Sequence, residues 1–480
     1  MRNRTIARWA GMLALAFLLV PISACDEILD VNNPAEINDE DLLDEQLLDA
    51  QVAGVLKLLE ELMSGDEESF TQGSTFLTDE QLTGLNWEDW QRVNQRIVIY
   101  TEGPLDDMWD NQSEFLMNGR MALEKLDALL EDPSTDRRVA LVSMMVGYGY
   151  VFMAETWCQV VLAESVDQLG TTLYTHDEIL ALAFPHFERA IDVGTEAGDM
   201  DIVYAAHVGL ARAYLTLGNW TEVTSYAGAV PTDWTGYWVE YSAVDPGLNN
   251  NLYNELRGSN HTVGVHPAFL QGIYGDQGLI DTQTDPRIQH TSNYSTGHDA
   301  STLLYKPYMG LRFEGYTGAT IAPQSAECPN CTPGGAIEGT DVLLVDQGTN
   351  VLLADGLEAQ HHYYEAIARQ NPSDANLQAF VNARRAVGNE LAYTGADWFA
   401  ELRRQRSRDL YMGGIRLGDL RRWKRDGVGD FFPTGPHPNP DRPPAVYGVW
   451  TCYVMPLEEY EGNPGLERPA DPLSPPPGII

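Results

Sequence analysis

Residues 401–425, ELRRQRSRDLYMGGIRLGDLRRWKR, carry nine basic side chains: Arg403, Arg404, Arg406, Arg408, Arg416, Arg421, Arg422, Lys424 and Arg425. Clustered guanidiniums can grip phosphate, or they can fork onto carboxylates. The rest of the chain decides between these uses. It has 30 Lys+Arg against 70 Asp+Glu, a formal charge of −40. So acidic a body repels a nucleic-acid backbone, and no nucleic-acid partner is expected. Carboxylates, in contrast, are abundant. Arg406, Arg408, Asp409, Arg416, Asp419, Arg421 and Arg422 are therefore expected to form an internal ion-pair lattice joining late helices to early ones.

The five cysteines suggest different chemistry. Cys25 closes the run LLVPISAC, behind Arg2, Arg4 and Arg8 and an apolar stretch from Trp9 to Val20. A positive start, an apolar run too short to span a bilayer and small residues before a cut site make a secretory signal. Ile22-Ser23-Ala24-Cys25 resembles the bacterial lipobox, in which the cysteine is acylated and becomes the first residue. Loss of residues 1–24 removes three arginines and leaves a net charge of −43. Bulk attraction cannot hold such a body on an anionic membrane, so a covalent lipid must. The acidic stretch 25–41 reads as a tether. Cys328 and Cys331 form CPNC in a Gly/Pro-rich loop. A disulfide is the favoured reading there. Zinc would need two more ligands, and a redox site would need a strand-to-helix setting. Whether Cys158 meets Cys452 is left open.

Aromatic side chains supply a third chemistry. Flat rings stack on sugar faces while amides and carboxylates bond hydroxyls. Trp87 and Trp90 in GLNWEDWQ, with Trp234, Trp238, Tyr274 and Tyr294 in later loops, are the ligand-face candidates, although for each one singly a packing role is the favoured reading. Catalytic signatures are missing: the sequence has no G-x-S-x-G, no H-E-x-x-H and no P-loop. Acidic pairs such as Glu88/Asp89 carry no information among 70 acids. His361-His362 lacks a companion ligand pattern and reads as helix surface. Neither an enzymatic activity nor a cofactor or metal is expected.

Helical elements must position these groups. From residue 42 to 231 apolar residues recur at three-four spacing, as at Leu48, Val52, Val55, Leu59 and Leu62. Val139 to Ala154 is apolar all round and reads as a buried core helix. GLARAYLTLGNWTEVTSYAGAVP, 209–231, resembles a tetratricopeptide repeat. Leu210, Ala211 and Tyr214 fit its first helix, and Gly218 and Trp220 its turn. Ala183, Phe187 and Ala190 look like a preceding second helix. An ordinary helix hairpin also explains the pattern. Residues 232–350 are rich in Gly, Pro, Asn and Tyr and read as loops and short strands, the candidate ligand face. Helical pattern resumes over 351–425. The Pro/Gly-rich tail 426–480 is expected to wrap a surface without regular structure.

Together these segments resemble the SusD/RagB family of nutrient-uptake outer-membrane lipoproteins. The carriers are Gln405-Arg406-Ser407-Arg408-Asp409-Leu410, Gly413-Gly414-Ile415-Arg416 and Asp419-Leu420-Arg421-Arg422, against a family pattern of roughly E-R-x-R-E-L, E-G-x-R and D-L-R-R. The chain departs from it at Gln405, Asp409 and Gly413. CDEILD, MNGRMALEKL, VGYGYVFMAETWCQVV, AAHVGLARAYLTLGNW and VMPLEEYEGNPGL add agreement at both ends and in the middle. The resemblance implies a mainly α fold, with tetratricopeptide-like helical pairs and an irregular, loop-rich, ligand-facing half. It also implies a surface lipoprotein that sits as a lid on a SusC-like TonB-dependent transporter and captures oligosaccharides or peptides without chemistry. The alternative is a scaffold lipoprotein that uses its helical grooves for other outer-membrane machinery.

Overall fold

The computed structural model describes residues 47–64, 67–163, 170–256, 262–269, 285–288, 295–296, 303–304, 311–314, 346–438, 446–463 and 465–468. Cys25, the tether 25–41, Tyr274, Tyr294, Cys328 and Cys331 lie outside the described residues.

Among those described, the chain is mainly helical. Helix α1 (Leu48–Ser64) buries its apolar stripe from Leu48 to Leu62. Helix α2 (Phe70–Phe76) starts at Ser69, whose Oγ accepts from the Gln72 amide at 3.2 Å. Strand β1 (Gln81–Thr83) and helix α3 (Glu88–Asn94) follow. The long α4 (Gly103–Leu129) packs on α1 and on α5 (Arg137–Thr156). Every residue of α5 from Val139 onward is buried. By length and composition α5 could cross a membrane, but its most apolar window is wholly enclosed by protein. After the short pair β2 (Val160–Val161) and β3 (Leu173–Tyr174) come α6 (His176–Ala197), α7 (Met200–Leu217) and α8 (Trp220–Gly228). Thr175 and Glu178 make a capping box at the start of α6.

Small residues decide how these helices meet. Phe187 of α6 lies where a Cβ on Gly147 of α5 or Gly209 of α7 would approach it to 2.7 and 2.3 Å. One aromatic side chain thus fills the space that two glycines leave, and three helices close on it. Ala183, Ala190, Leu210 and Ala211 are buried beside it, the small-residue logic of a tetratricopeptide pair.

The described parts of the insert return to the helical body as short strands. Strand β4 (Tyr237–Val239) pairs with β8 (Val351–Ala354). Helix α9 (Leu252–Leu256) precedes β5 (Val263–Val265), which pairs with β1. Strands β6 (Ser295–Thr296) and β7 (Leu303–Leu304) form a further antiparallel pair. Four late helices follow: α10 (Gly356–Gln370), α11 (Ala375–Val387), α12 (Trp398–Asp409) and α13 (Arg416–Arg425). Asp355, Asp374 and Asp397 cap the first three.

The tail differs from its expected course. Trp450, Cys452, Tyr453, Val454 and Met455 are core residues, and α14 (Leu457–Gly462) follows them. The Tyr453 hydroxyl donates to the Gly73 carbonyl at 2.6 Å, and the Cys158 amide donates to the Tyr453 carbonyl at 2.8 Å. Cys158 and Cys452 form a disulfide across 294 residues of chain. The Pro/Gly composition of the tail hid a short apolar plug.

Only Arg425 of the nine late basic residues is exposed. Arg406 Nε donates to Asp419 at 2.7 Å, and Arg422 reaches Asp419 at 2.9 Å and Glu365 at 2.8 Å. Arg416 forks onto Asp79, early in the chain, at 2.7 and 2.8 Å. Arg421 donates to the Ala154 and Glu155 carbonyls at 2.8 and 2.6 Å, at the C-terminal end of α5. Burial brings its pKa down to about 10. Arg408 reaches Asp285 at 3.5 Å. Asp409 pairs with Arg287 at 3.1 Å and Arg384 at 2.7 Å. Gln405, where the resemblance wants a glutamate, still accepts from Arg287 at 2.8 Å. His361 and His362 are not on a helix surface. Both are fully buried, against Asp409 at 2.7 Å and Glu358 at 3.3 Å, because α10 has protein on both flanks.

Burial alone would raise the Asp419 carboxyl, but Arg406 and Arg422 outweigh it and hold it well below the usual range. Asp419→Ala takes from buried Arg406 its carboxylate, while Arg422 keeps Glu365, and Arg416→Ala strands Asp79. Each should lower Tm, at a cost of about 3–5 kcal/mol for a buried pair that loses one partner. Asp419 is ionised more readily in the folded chain, so its contribution holds above pH about 4 and is lost as pH falls further. Thermal melts of both variants from pH 7 to pH 3 check this; unchanged Tm values would dismiss the lattice. Reducing the 158–452 disulfide should cost about 2–5 kcal/mol, read as a lower Tm in melts with and without a phosphine reductant.

Candidate functional site

The aromatic candidates do not form one face. Trp87 is half-exposed at the N-terminus of α3. Beside it Arg92 is held by Glu88 at 2.7 Å, Asp89 at 2.8 Å and Glu102. Trp90 is fully buried, with its ring 5.2 Å from Phe76, and is removed from the ligand face. Trp234 is half-buried. Its indole Nε1 donates to Asp201 at 2.8 Å, and its ring meets Tyr204 edge-on at 5.6 Å.

Trp238 lines a cleft of about 370 Å³, which also takes in Asp201, the acceptor of Trp234. The volume lies within the range of small-ligand pockets. One wall is α1, through Leu56, Leu59 and Glu60. Arg137 and Leu141 of α5 and the α6–α7 junction, Asp199 and Asp201, form the second. Residues 236–240 complete it. The β4–β8 register shifts between Tyr237 and Trp238. In a regular strand consecutive side chains point to opposite faces, but a bulge relaxes that alternation, and here two adjacent aromatic residues both line the cleft.

The polar groups are unevenly matched. Arg137 Nε donates to Asp199 at 2.5 Å. Glu60 faces Lys57 only at 3.8 Å. Burial raises the Glu60 pKa; Lys57 opposes this, while Glu61 and Glu240 add to it. Burial, countered by Arg137 and helped by Asp199 and Glu240, pushes the Tyr237 phenol up to about 12. Tyr237 therefore remains a neutral hydroxyl in ordinary solution. An indole, a phenol, several carboxylates and a guanidinium can cradle a polyhydroxylated ring by stacking and hydrogen bonds. A second groove of about 310 Å³ beside Asp110, Glu114, Arg120 and Met153 has no aromatic residue in its lining.

Of the described aromatic candidates, Trp238 lines this cleft and Trp234 reaches it only through Asp201; the sequence did not single out Glu60, Arg137, Asp199, Asp201, Tyr237 or Glu240. Tyr237 adjoins Trp238 and could have been named with it. Glu60 and Arg137 come from helices more than 90 residues upstream, and no local pattern marks them. Among the described residues, no group of His, Cys, Asp and Glu is arranged to hold a metal ion.

Paired helices on a tetratricopeptide plan, with irregular inserts folded back on them, define a known class of scaffold. The chain has the SusD-like fold. It superposes on a SusD superfamily protein from Parabacteroides distasonis with a TM-score of 0.63 and 14% identity, over 88% of this chain and 98% of that one. A SusD-like carbohydrate binding protein from Bacteroides fragilis gives a TM-score of 0.60 and 15% identity, over 89% and 99%. A SusD superfamily protein from Bacteroides vulgatus gives 0.60 and 14%, over 88% and 98%. No family model and no curated protein matches the sequence.

Gly236 sits at φ +116° in the cleft, where a Cβ would come within 2.3 Å of Leu352 and 2.6 Å of the Ala354 carbonyl. Gly236→Ala should displace β4 from β8 at a cost of at least about 1–3 kcal/mol. The expected readouts are a lower Tm and faster hydrogen exchange at the Val239 amide; a variant identical to the parent in both would refute this role for Gly236.

Proposed function

We propose that this protein is a lipid-anchored capture protein of the outer membrane, which binds oligomeric nutrients and passes them to a TonB-dependent transporter. The observation that carries the reading is the fold: nearly the whole length of several SusD-like chains, one described as carbohydrate binding, superposes on this one. Two features support it. The 158–452 disulfide suits an oxidising compartment outside the cytoplasm. Cys25 in its lipobox-like setting supplies the anchor that a body of charge −43 requires.

Capture here means stacking and hydrogen bonding without bond cleavage. Trp238, with Trp87 as a separate exposed platform, presents rings, and the cleft supplies donors and acceptors. One stacked ring contributes only about 1 kcal/mol beyond area burial, so useful affinity needs several contacts along one ligand. The proposed division of the chain assigns 42–231 and 351–425 to the scaffold and 232–350 to the ligand side, with Tyr274 and Tyr294 as further candidates there.

The test is calorimetry of mature protein across glycan and peptide ladders, with product analysis in parallel. Affinity should rise steeply with oligomer length, and no ligand should be cleaved. Cleavage would make the protein an enzyme, and failure to bind any oligomer would favour the scaffold alternative. Cys25→Ala should release the folded protein from membranes; retention after carbonate washing would overturn the anchor.

A further inference from the structure

We infer that the Trp238 cleft selects oligosaccharides bearing protonated amines. The inference rests on the capture reading and narrows its ligand to a cationic saccharide. The cleft is lined by four carboxylates, Glu60, Asp199, Asp201 and Glu240, against one cation, Arg137. That cation is already committed to Asp199 at 2.5 Å. Asp201 takes its hydrogen bond from the neutral indole of Trp234. The nearest cation to Glu60 is Lys57 at 3.8 Å, which is also drawn to Glu61 at 3.4 Å. Glu240 is exposed on the rim and has no cationic partner among the described residues. Negative charge in the cleft is therefore unbalanced, and the like charge of Glu240 already works against Glu60.

A ligand ammonium relieves this imbalance, whereas a uronic acid, sulfate or phosphate deepens it. The aromatic wall sharpens the choice. Trp238 offers a ring face to a pyranose, and an amine on that sugar gains both a carboxylate partner and a cation–π contact. A lysine peptide would satisfy the carboxylates but would leave the indole without a flat partner. A neutral N-acetylated sugar would satisfy the indole but leave the carboxylates unbalanced. An aminated pyranose chain meets both demands.

The experiment is calorimetry of the full mature chain with a β-1,4-linked glucosamine tetramer, its fully N-acetylated counterpart and tetralysine, at low and high salt. The glucosamine tetramer should bind at least about tenfold tighter than the acetylated one, and salt should weaken it. Glu240→Gln should cost about fivefold, the worth of one exposed ion pair, and Trp238→Ala should cost more. Thermal melting of both variants separates a lost contact from a lost fold. Equal or tighter binding of the acetylated tetramer overturns the inference. So does equal binding of tetralysine, or glucosamine binding that survives both substitutions. The two readings fail differently: a neutral glycan bound with full affinity by both variants leaves capture standing on another face and removes this inference alone, as does binding of peptides without saccharides, whereas failure to bind any saccharide or peptide removes both.

Discussion

The Trp238 cleft depends on a carboxylate that never meets solvent. Glu358, in the first turn of α10, is fully buried. Burial alone would force it to take up a proton. Instead Arg312 at 3.1 Å, the His362 hydrogen bond and Arg212 at 3.8 Å bring its pKa down to about 2. Each partner belongs to a different part of the chain. Arg212 lies on α7 and also donates to Glu155 of α5 at 2.9 Å. Arg312 comes from the insert and donates to the Leu352 and Leu353 carbonyls of β8 at 3.0 and 3.1 Å. Strand β8 in turn holds β4, which carries Tyr237 and Trp238. A single buried anion thus connects the core helices, through two guanidiniums, to the strand pair that lines the Trp238 cleft.

Such a device does not maximise stability. Desolvating ions costs several kcal/mol each, and an apolar replacement of the same shape is often no less stable. What a buried ion pair can fix is arrangement, since each guanidinium fork accepts its carboxylate in few orientations. The insert has few regular hydrogen bonds of its own in its described parts, and short strands specify register weakly. Arg312 answers that weakness on β8. Arg287, buried against Asp285 at 2.6 Å and Asp409 at 3.1 Å, does the same where residues 285–288 meet α12. The insert is thereby located by ion pairs that its own backbone pairing would leave loose.

The helices were legible because burial on one side imposes a three-four period on α1 and an all-round apolar run on α5. The tetratricopeptide-like pair was legible because close helix contact demands small residues, as at Gly209 beside Phe187. Besides the apolar plug in the tail, three features escaped, each for a physical reason. Trp90 and Trp87 share one short aromatic stretch of sequence, yet Trp87 precedes α3 with extended backbone (φ −80°, ψ 121°) and stays half-exposed, while Trp90 lies within the helix on its buried side. His361 and His362 read as surface because they are polar neighbours; only a helix covered on both flanks buries adjacent residues. The cleft escaped most completely. Its carboxylates and Arg137 come from four separate segments, and a sequence does not show which charges will end up facing each other.

The arginine cluster also alters the meaning of the net charge. Six of the nine late basic residues, Arg404, Arg406, Arg408, Arg416, Arg421 and Arg422, are turned toward carboxylates or carbonyls within the protein, while Arg403 lies over the Phe399, Trp423 and Phe431 rings. Paired inside, these cations no longer offset the acids outside. The solvent-facing surface is therefore more uniformly anionic than a mixed distribution of the same −40 would be. That surface keeps the protein soluble and repels anionic lipid and polyanions at range. Under the proposed function, attachment to a membrane then falls to a covalent lipid, and ligand selection to charges of the opposite sign. The same burial of arginine that orders the insert leaves the exterior, and the Trp238 cleft within it, ready for cations.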